Sequence, residues 1–315
     1  MTERDSQDTR GEVSPGARLA AWLSRTIVKP RESLWEDPVP TRRMFDSALF
    51  TRAWLAGPVT FAAERSAPVP GEWVTPKAAL DGGRTVLHLH GGGYQCGSPV
   101  TTRGITGGIA RAARARVFVP DYRRAPEHRF PAAFDDALAS YRWLLSTGVP
   151  AGSIAISGDS AGGGLALAVL LAVRDAGEPL PGCAALISPW TDMLGSGASN
   201  RENVVRCALF HEYSVARAAR TYLGAADPRD VRASPLLGRM HDLPPILLHV
   251  GDDEMIRDDS VRVAEKVTAA GGTATLVSWP VVPHAWQIYG VLLRESRESL
   301  NGIGEFIAAH TLPVR

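Results

Sequence analysis

Cysteine is scarce. Cys96, Cys183 and Cys207 are three in a chain of 315 residues, an odd number that forms no disulfide framework for a domain this large. None has a Cys-x-x-Cys neighbour, which argues against a structural zinc. Charge bias is missing too. The 34 Lys and Arg stand against 33 Asp and Glu, a formal net charge of +1, which gives no long-range field to draw in nucleic acid or an anionic membrane. The longest unbroken apolar run, residues 165–173, has about half the length of a membrane-spanning helix. The N-terminal stretch MTERDSQDTRGEVSPG is polar and lacks the apolar segment of a secretory signal. The expectation is a cytoplasmic protein with reduced thiols, no nucleic-acid partner and no stable membrane insertion, acting on a small molecule.

What is present is the material of a large core: 45% hydrophobic residues with 21% charged. The first 15 or so residues read as disordered. From 17 to about 55, apolar residues recur at helical spacing, broken by Pro30, Pro38 and Pro40, which predicts two or three helices. From Trp73 the pattern changes to short apolar runs alternating with helical periodicity. Strands are predicted at 85–90, 117–120, 154–157, 184–188, 246–250 and 274–279, and helices at 104–113, 134–145, 161–176, 260–270 and 296–309. Such alternation means a mostly parallel sheet flanked by helices on both faces. Residues 190–243 break the rhythm, with no strand and one helical run at 213–222. They read as an insertion over the sheet's C-terminal edge, where open α/β sheets bind ligands. The expected organisation is therefore an N-terminal cap segment (1–55), a first core part (56–189), a cap-like insertion (190–243) and a second core part (244–315).

Gly158-Asp159-Ser160-Ala161-Gly162 matches G-x-S-x-G between a strand and a helix, the context that pattern requires. A sharp strand–helix turn would expose the serine, with small residues two positions away on either side and free helix N–H groups beside it. A plain glycine-rich turn is the competing reading. A dinucleotide fingerprint fits poorly, since G-x-G-x-x-G is not met, and a Walker loop lacks its Gly-Lys-Ser/Thr. A nucleophilic serine needs a base, an acid that orients it, and donors for an oxyanion. Upstream, His90-Gly91-Gly92-Gly93 follows the strand TVLHL, and glycine there lets backbone N–H groups face a cavity. His88 and His90 have metal-like spacing but no evident third ligand, so no metal is expected. Downstream, ILLHVGDDEMIRDDS runs a buried strand into an acidic turn, and WPVVPHAW places His284 in a loop after the next strand. The order Ser, acid, His is that of α/β-hydrolases.

These motifs together resemble the hormone-sensitive lipase family of α/β-hydrolase carboxylesterases, also called bacterial lipase family IV. The resemblance covers about residues 70–310 and rests on HGGGY (90–94), DYRRAPEHRFPAAFDDA (121–137), GDSAGGG (158–164), SPLLG (234–238) and VPHAW (282–286). It implies the α/β-hydrolase fold with a helical cap from the N-terminus and the insertion. It implies Ser160 as nucleophile, His284 as general base and then acid, and an oxyanion hole of the Gly92, Gly93 and Ala161 N–H groups. The stretch around Asp121-Tyr122-Arg123-Arg124 would brace the oxyanion loop, with Arg124 where similar enzymes usually carry leucine. Similar enzymes usually show G-x-x-D-P-L-x-D with the first aspartate as triad acid. Counted from Gly251, that position is Glu254, which is favoured, with Asp253 as the alternative. Asp252, Asp258 and Asp259 are expected to cap the next helix or face solvent.

The activity implied is serine carboxylesterase action on short-chain acyl esters through an acyl-enzyme, with no cofactor. The alternatives are a non-catalytic binder on the same fold, as in plant gibberellin receptors that lack the triad histidine, or amidase, lactonase or thioesterase chemistry. Trp22, Trp35, Trp190, Phe210 and Trp286 are candidates to line the acyl or alcohol pocket, against a competing role in core packing. Family members are often dimers, and a homodimer is left open.

Overall fold

The structure, a computed structural model, describes residues 13–30, 40–43, 52–78, 80 and 83–313. One sheet of eight strands organises them, in the order β1-β2-β4-β3-β5-β6-β7-β8. The strands are β1 Val59–Glu64, β2 Gly71–Pro76, β3 Thr85–Leu89, β4 Arg116–Pro120, β5 Ile154–Asp159, β6 Cys183–Ile187, β7 Ile246–Gly251 and β8 Ala274–Trp279. From β4 to β8 all pairings are parallel, while β1 and β2 run antiparallel to their neighbours. Strands β3, β5, β6 and β7 are buried along their whole length, as continuous apolar runs between two helical layers must be.

Among the described residues the longer α-helices are α1 Pro15–Leu23, α2 Arg103–Ala113, α3 Ala132–Ser146, α4 Ala161–Asp175, α5 Ser214–Leu223, α6 Arg257–Ala269 and α7 Arg294–His310, with short helical turns at 40–43 and Ser199–Glu202. Ile105 and Ile109 of α2 and Leu300, Ile303 and Ile307 of α7 pack on one face of the sheet, against Val86, Val117 and Ala155. Phe134 and Tyr141 of α3, Leu165 and Val169 of α4, and Val263 of α6 cover the other, against Leu87, Phe118 and Ile156. Chain order reverses between β3 and β5. Their following helices therefore go to opposite faces, and the crevice between the two strand ends is where such sheets hold ligands. The β3 end carries His90–Gly93 and the β5 end carries Ser160.

The β1–β2 hairpin was not expected from the sequence. β1 is the edge strand and β2 lies between it and β4, and both are largely half-buried or exposed, so their apolar content is too mixed to stand out between Pro58, Pro68 and Pro70. In the N-terminal region α1 continues as a π turn, Ser24–Val28, and residues 40–43 are helical. Ala53–Ala56 form a 3-10 turn, and the rest of the helices expected there lies outside the described residues. Between β6 and β7 there is no strand, and α5 occupies the expected helical run. Among the described residues no helix is long and apolar enough to cross a membrane.

Candidate active site

Strand β5 ends at Asp159 and α4 begins at Ala161, so a single residue makes the turn. That residue, Ser160, sits at φ 55° and ψ −121°, a conformation strained for any side chain. The strain is held by neighbours. The Ser160 N–H donates to Ile187 O at 2.8 Å, and Ser160 O accepts from Gly163 N at 3.0 Å and Trp190 N at 2.9 Å. Two glycines make the approach of strand and helix possible. A Cβ on Gly158 would lie 2.2 Å from Gly162 O, and one on Gly162 would lie 1.9 Å from Leu89 O.

The Ser160 hydroxyl meets His284 Nε2 at 2.7 Å. On the other side of the ring, His284 Nδ1 lies 2.5 Å from Glu254 Oε2. With a carboxyl group on Nδ1, that nitrogen carries the ring proton and Nε2 accepts from the serine. The second oxygen of Glu254 is equally fixed: Oε1 accepts from Gly251 N at 2.6 Å and from Ser188 Oγ at 2.7 Å. The side chains of Glu254 and His284 are 1% and 5% exposed. Asp253 points elsewhere, with Oδ1 3.6 Å from Arg206 Nε in a far more open position. Asn203 Nδ2 ties the acidic turn to the insertion by donating to Asp252 O at 3.0 Å and Glu254 O at 2.9 Å. Ser188 and Asn203 carry no sequence signal of their own, being a strand-end serine and a loop asparagine.

The glycine loop after β3 closes on itself. Gly92 O accepts from Gln95 N at 3.0 Å and Cys96 N at 2.9 Å. Gly92 has φ 117°, and a Cβ there would meet Cys96 O at 2.1 Å. Behind it, Tyr122 Oη donates to His90 O at 2.6 Å and its ring stacks on the His90 imidazole at 4.0 Å. Full burial pushes the His90 pKa down to about 3, so the ring is neutral. Arg124 donates to Gly97 O and pairs with Asp121 at 3.1 Å. Ala161 opens α4, and its N–H is one of the first four, which have no acceptor within the helix.

Above Ser160 lies a cavity of about 440 Å3, lined by Gly91, Gly92 and Gly93, by Ile27 and Val28 after α1, and by Leu209, Val215 and Ala218 of the insertion. Trp190 and Phe210 also line it, and the Phe210 ring lies 4.9 Å from that of His284. Trp286 does not. It is fully buried against Trp279, with ring centroids 5.5 Å apart. Trp22 is on the exposed face of α1, and Trp35 lies outside the described residues. His88 is turned away from the cavity, its ring bonded to Ser157 and Asp159.

The remaining acids of the 251–260 turn depart from expectation. Helix α6 has Ile256 at its N-cap and no side-chain cap. Asp258 accepts from Ser199 N at 2.9 Å, and Asp252 from Ser278 Oγ. Asp259 is wholly buried, its Oδ2 accepting from the backbone N–H of Thr191 at 2.7 Å and Asp192 at 3.0 Å. It thereby pins the loop that follows Trp190. Burial pushes the Asp259 carboxyl up to about 7. Unfolded, the same group ionises near the ordinary 3.9. Between those values the folded state holds a proton that the unfolded state has lost, so this group's contribution to stability falls as pH rises from about 4 to about 7, by about 1.4 kcal/mol per pH unit. Asp259→Asn removes that titration. The slope of Tm against pH over this window is expected to be less negative in the variant, as thermal melts at half-unit intervals would show.

Known proteins carry the same architecture. The sequence profile of a family described as having the alpha/beta hydrolase fold matches residues 86–288. An acetyl-hydrolase of Streptomyces hygroscopicus is 43% identical over 240 residues, covering 76% of this chain and 80% of that protein. The carboxylesterase/phospholipase LipF of Mycobacterium tuberculosis is 32% identical over 317 residues, covering 95% and 83% respectively. A crystal structure of an esterase from the bacterial hormone-sensitive lipase family superposes with a TM-score of 0.86 at 37% identity, over 95% of this chain and 99% of that one.

Proposed function

For a chain that belongs to the α/β-hydrolase fold family in its hormone-sensitive-lipase branch, and that is a carboxylic ester hydrolase, we propose a serine mechanism on short-chain acyl esters. The observation that carries it is the unbroken line from Glu254 through His284 to Ser160, with contacts of 2.5 and 2.7 Å, beneath a cavity floored by a glycine loop. Ser160 Oγ attacks the ester carbonyl as His284 Nε2 takes its proton, and Glu254 stabilises the imidazolium. The carbonyl oxygen becomes an oxyanion held by the N–H groups of Gly92, Gly93 and Ala161. One such donor typically contributes about 3 kcal/mol to lowering the barrier. The C–O bond breaks, His284 returns the proton to the leaving alkoxide, and the acyl group remains on Ser160. Water activated by the same histidine then releases the acid. No step requires a cofactor or a metal.

A short acyl chain is supported by the 43% identical relative, which is named an acetyl-hydrolase. The residues after α1 and those of the insertion, which meet over the cavity, would act as the cap that encloses the ester. Purified protein should hydrolyse p-nitrophenyl acetate and butyrate, with kcat/KM falling by at least about tenfold at the decanoate. A fluorophosphonate should add one adduct, on the peptide carrying Ser160. Absence of both turnover and label would leave a non-catalytic binder as the function; a flat chain-length series would remove the short-chain assignment alone.

A further inference from the structure

Beneath the glycine loop lies a second chain of buried polar groups that takes no part in the steps above. On β3, Val86 packs on the α2/α7 face of the sheet, and the two-residue period of a strand puts His88 on that face as well. In the parallel register His88 stands beside Ser157 of β5, and both are completely buried. The ring bridges two residues of that strand. Nδ1 is 2.7 Å from Ser157 Oγ, and Nε2 is 3.2 Å from Asp159 Oδ1. A carboxylate at Nε2 requires a proton there, which leaves Nδ1 to accept from the Ser157 hydroxyl. Asp159 Oδ1 also accepts from Gly91 N at 3.0 Å. Packing around that bond is close: a Cβ on Gly91 would lie 2.2 Å from Asp159 Oδ2.

Asp159 is thus joined to both halves of the reacting centre. It precedes Ser160 by covalent bond, and it grips the amide just before Gly92 and Gly93. It is only 5% exposed, and a buried carboxylate free to turn between donors would let the loop drift. The imidazole supplies the second donor to Oδ1 and, being itself fixed by Ser157, holds the carboxylate in one orientation. We infer that His88 is a positioning residue for the oxyanion hole, acting through Asp159 and Gly91 to set the glycine-loop amides against Ser160. It transfers no proton and touches no substrate. The inference rests on the proposed roles of Ser160 and the glycine loop.

The test compares His88→Phe, His88→Gln and His88→Asn with wild type on p-nitrophenyl butyrate, with Ser160→Ala as control. A phenylalkyl trifluoromethyl ketone is the probe of the tetrahedral state, since its serine adduct places an oxyanion in the same hole. Misplacing a donor by about 1 Å costs on the order of a hundredfold. His88→Phe is therefore expected to lower kcat by about 10- to 100-fold, with KM within about threefold, and to weaken trifluoromethyl ketone binding by the same factor as kcat/KM. Retention of kcat within about twofold overturns the inference, as does a fall in kcat that leaves ketone affinity unchanged. Should His88→Phe not fold, the two amides decide. The Gln amide reaches the position of Nε2 and can still donate to Asp159, whereas Asn reaches only toward Ser157. A kcat about tenfold higher for Gln than for Asn supports the assignment, and equal rates overturn it. If Ser160→Ala hydrolyses the ester as fast as wild type, the proposed function fails instead, and that result is read independently of His88.

Discussion

Ser160→Ala is expected to lower kcat for p-nitrophenyl butyrate by about 10^5- to 10^6-fold while leaving KM nearly unchanged. The size follows from how completely the rest of the site depends on one oxygen. His284 Nε2 has Ser160 Oγ at 2.7 Å as its partner. Once the hydroxyl is gone the base has no nucleophile to deprotonate, and no acyl-enzyme can form. What persists is the cavity and the proposed oxyanion donors, worth about 10^3- to 10^4-fold over the reaction in water. The fold should tolerate the change. Ser160 contributes its turn through backbone bonds to Ile187, Gly163 and Trp190, and alanine occupies φ 55° at a cost close to that of serine. Tm should therefore stay within a few degrees, and ester binding should survive as competitive inhibition by a non-hydrolysable ketone lacking fluorine. The measurement is a burst-corrected steady state with fluorophosphonate labelling alongside. Activity above about 1% of wild type with the label retained on another residue would assign the nucleophile elsewhere.

Some of this was visible in the residues because glycine leaves little choice. Gly158 and Gly162 are spaced as a tight strand–turn–helix requires, where a Cβ on either would lie 2.2 or 1.9 Å from a backbone oxygen, and the runs flanking them are apolar enough to identify β5 and α4. The same holds for β3 with its glycine loop. The edge hairpin was hidden for the opposite reason: Val59–Glu64 and Gly71–Pro76 bury so few side chains that no period stands above the noise. Burial of a charged type is equally invisible. Asp259 reads as a helix-capping or surface acid, yet it is enclosed because Thr191 and Asp192, about 70 positions upstream, offer their N–H groups to it. His88 shows the same limit, since the sequence offers only its spacing from His90, with no third ligand to make a metal site, while its partners lie on the neighbouring strand. Spacing in GDDE separates two acids by one residue, and only the third dimension turns Glu254 to His284 and Asp253 to Arg206.

Those two acids should differ by more than a thousandfold when each is made an amide. Glu254→Gln is expected to reduce kcat by about 10^4-fold with little change in KM, whereas Asp253→Asn should stay within about threefold. The first effect is one of tautomer. Oε1 of Glu254 accepts from the Gly251 N–H and the Ser188 hydroxyl at 2.6 and 2.7 Å. The Gln carbonyl must take that place, because an NH2 group there would face a backbone donor. The amide NH2 then points at His284 Nδ1, and two donors cannot share the contact. The imidazole gives up its Nδ1 proton and carries it on Nε2, so it presents a donor to Ser160 and cannot act as its base. Because the amide orientation is locked from behind, rotation offers no escape. Asp253→Asn, by contrast, removes a 3.6 Å contact with an exposed Arg206, and such surface pairs contribute little. Glu254→Asp keeps the acceptor but withdraws it by one methylene, so it should fall between the two amide variants. A reversed order, with Asp253→Asn inactive and Glu254→Gln near normal, would assign the acid to Asp253 and require the 251–254 turn to rotate by one residue during turnover.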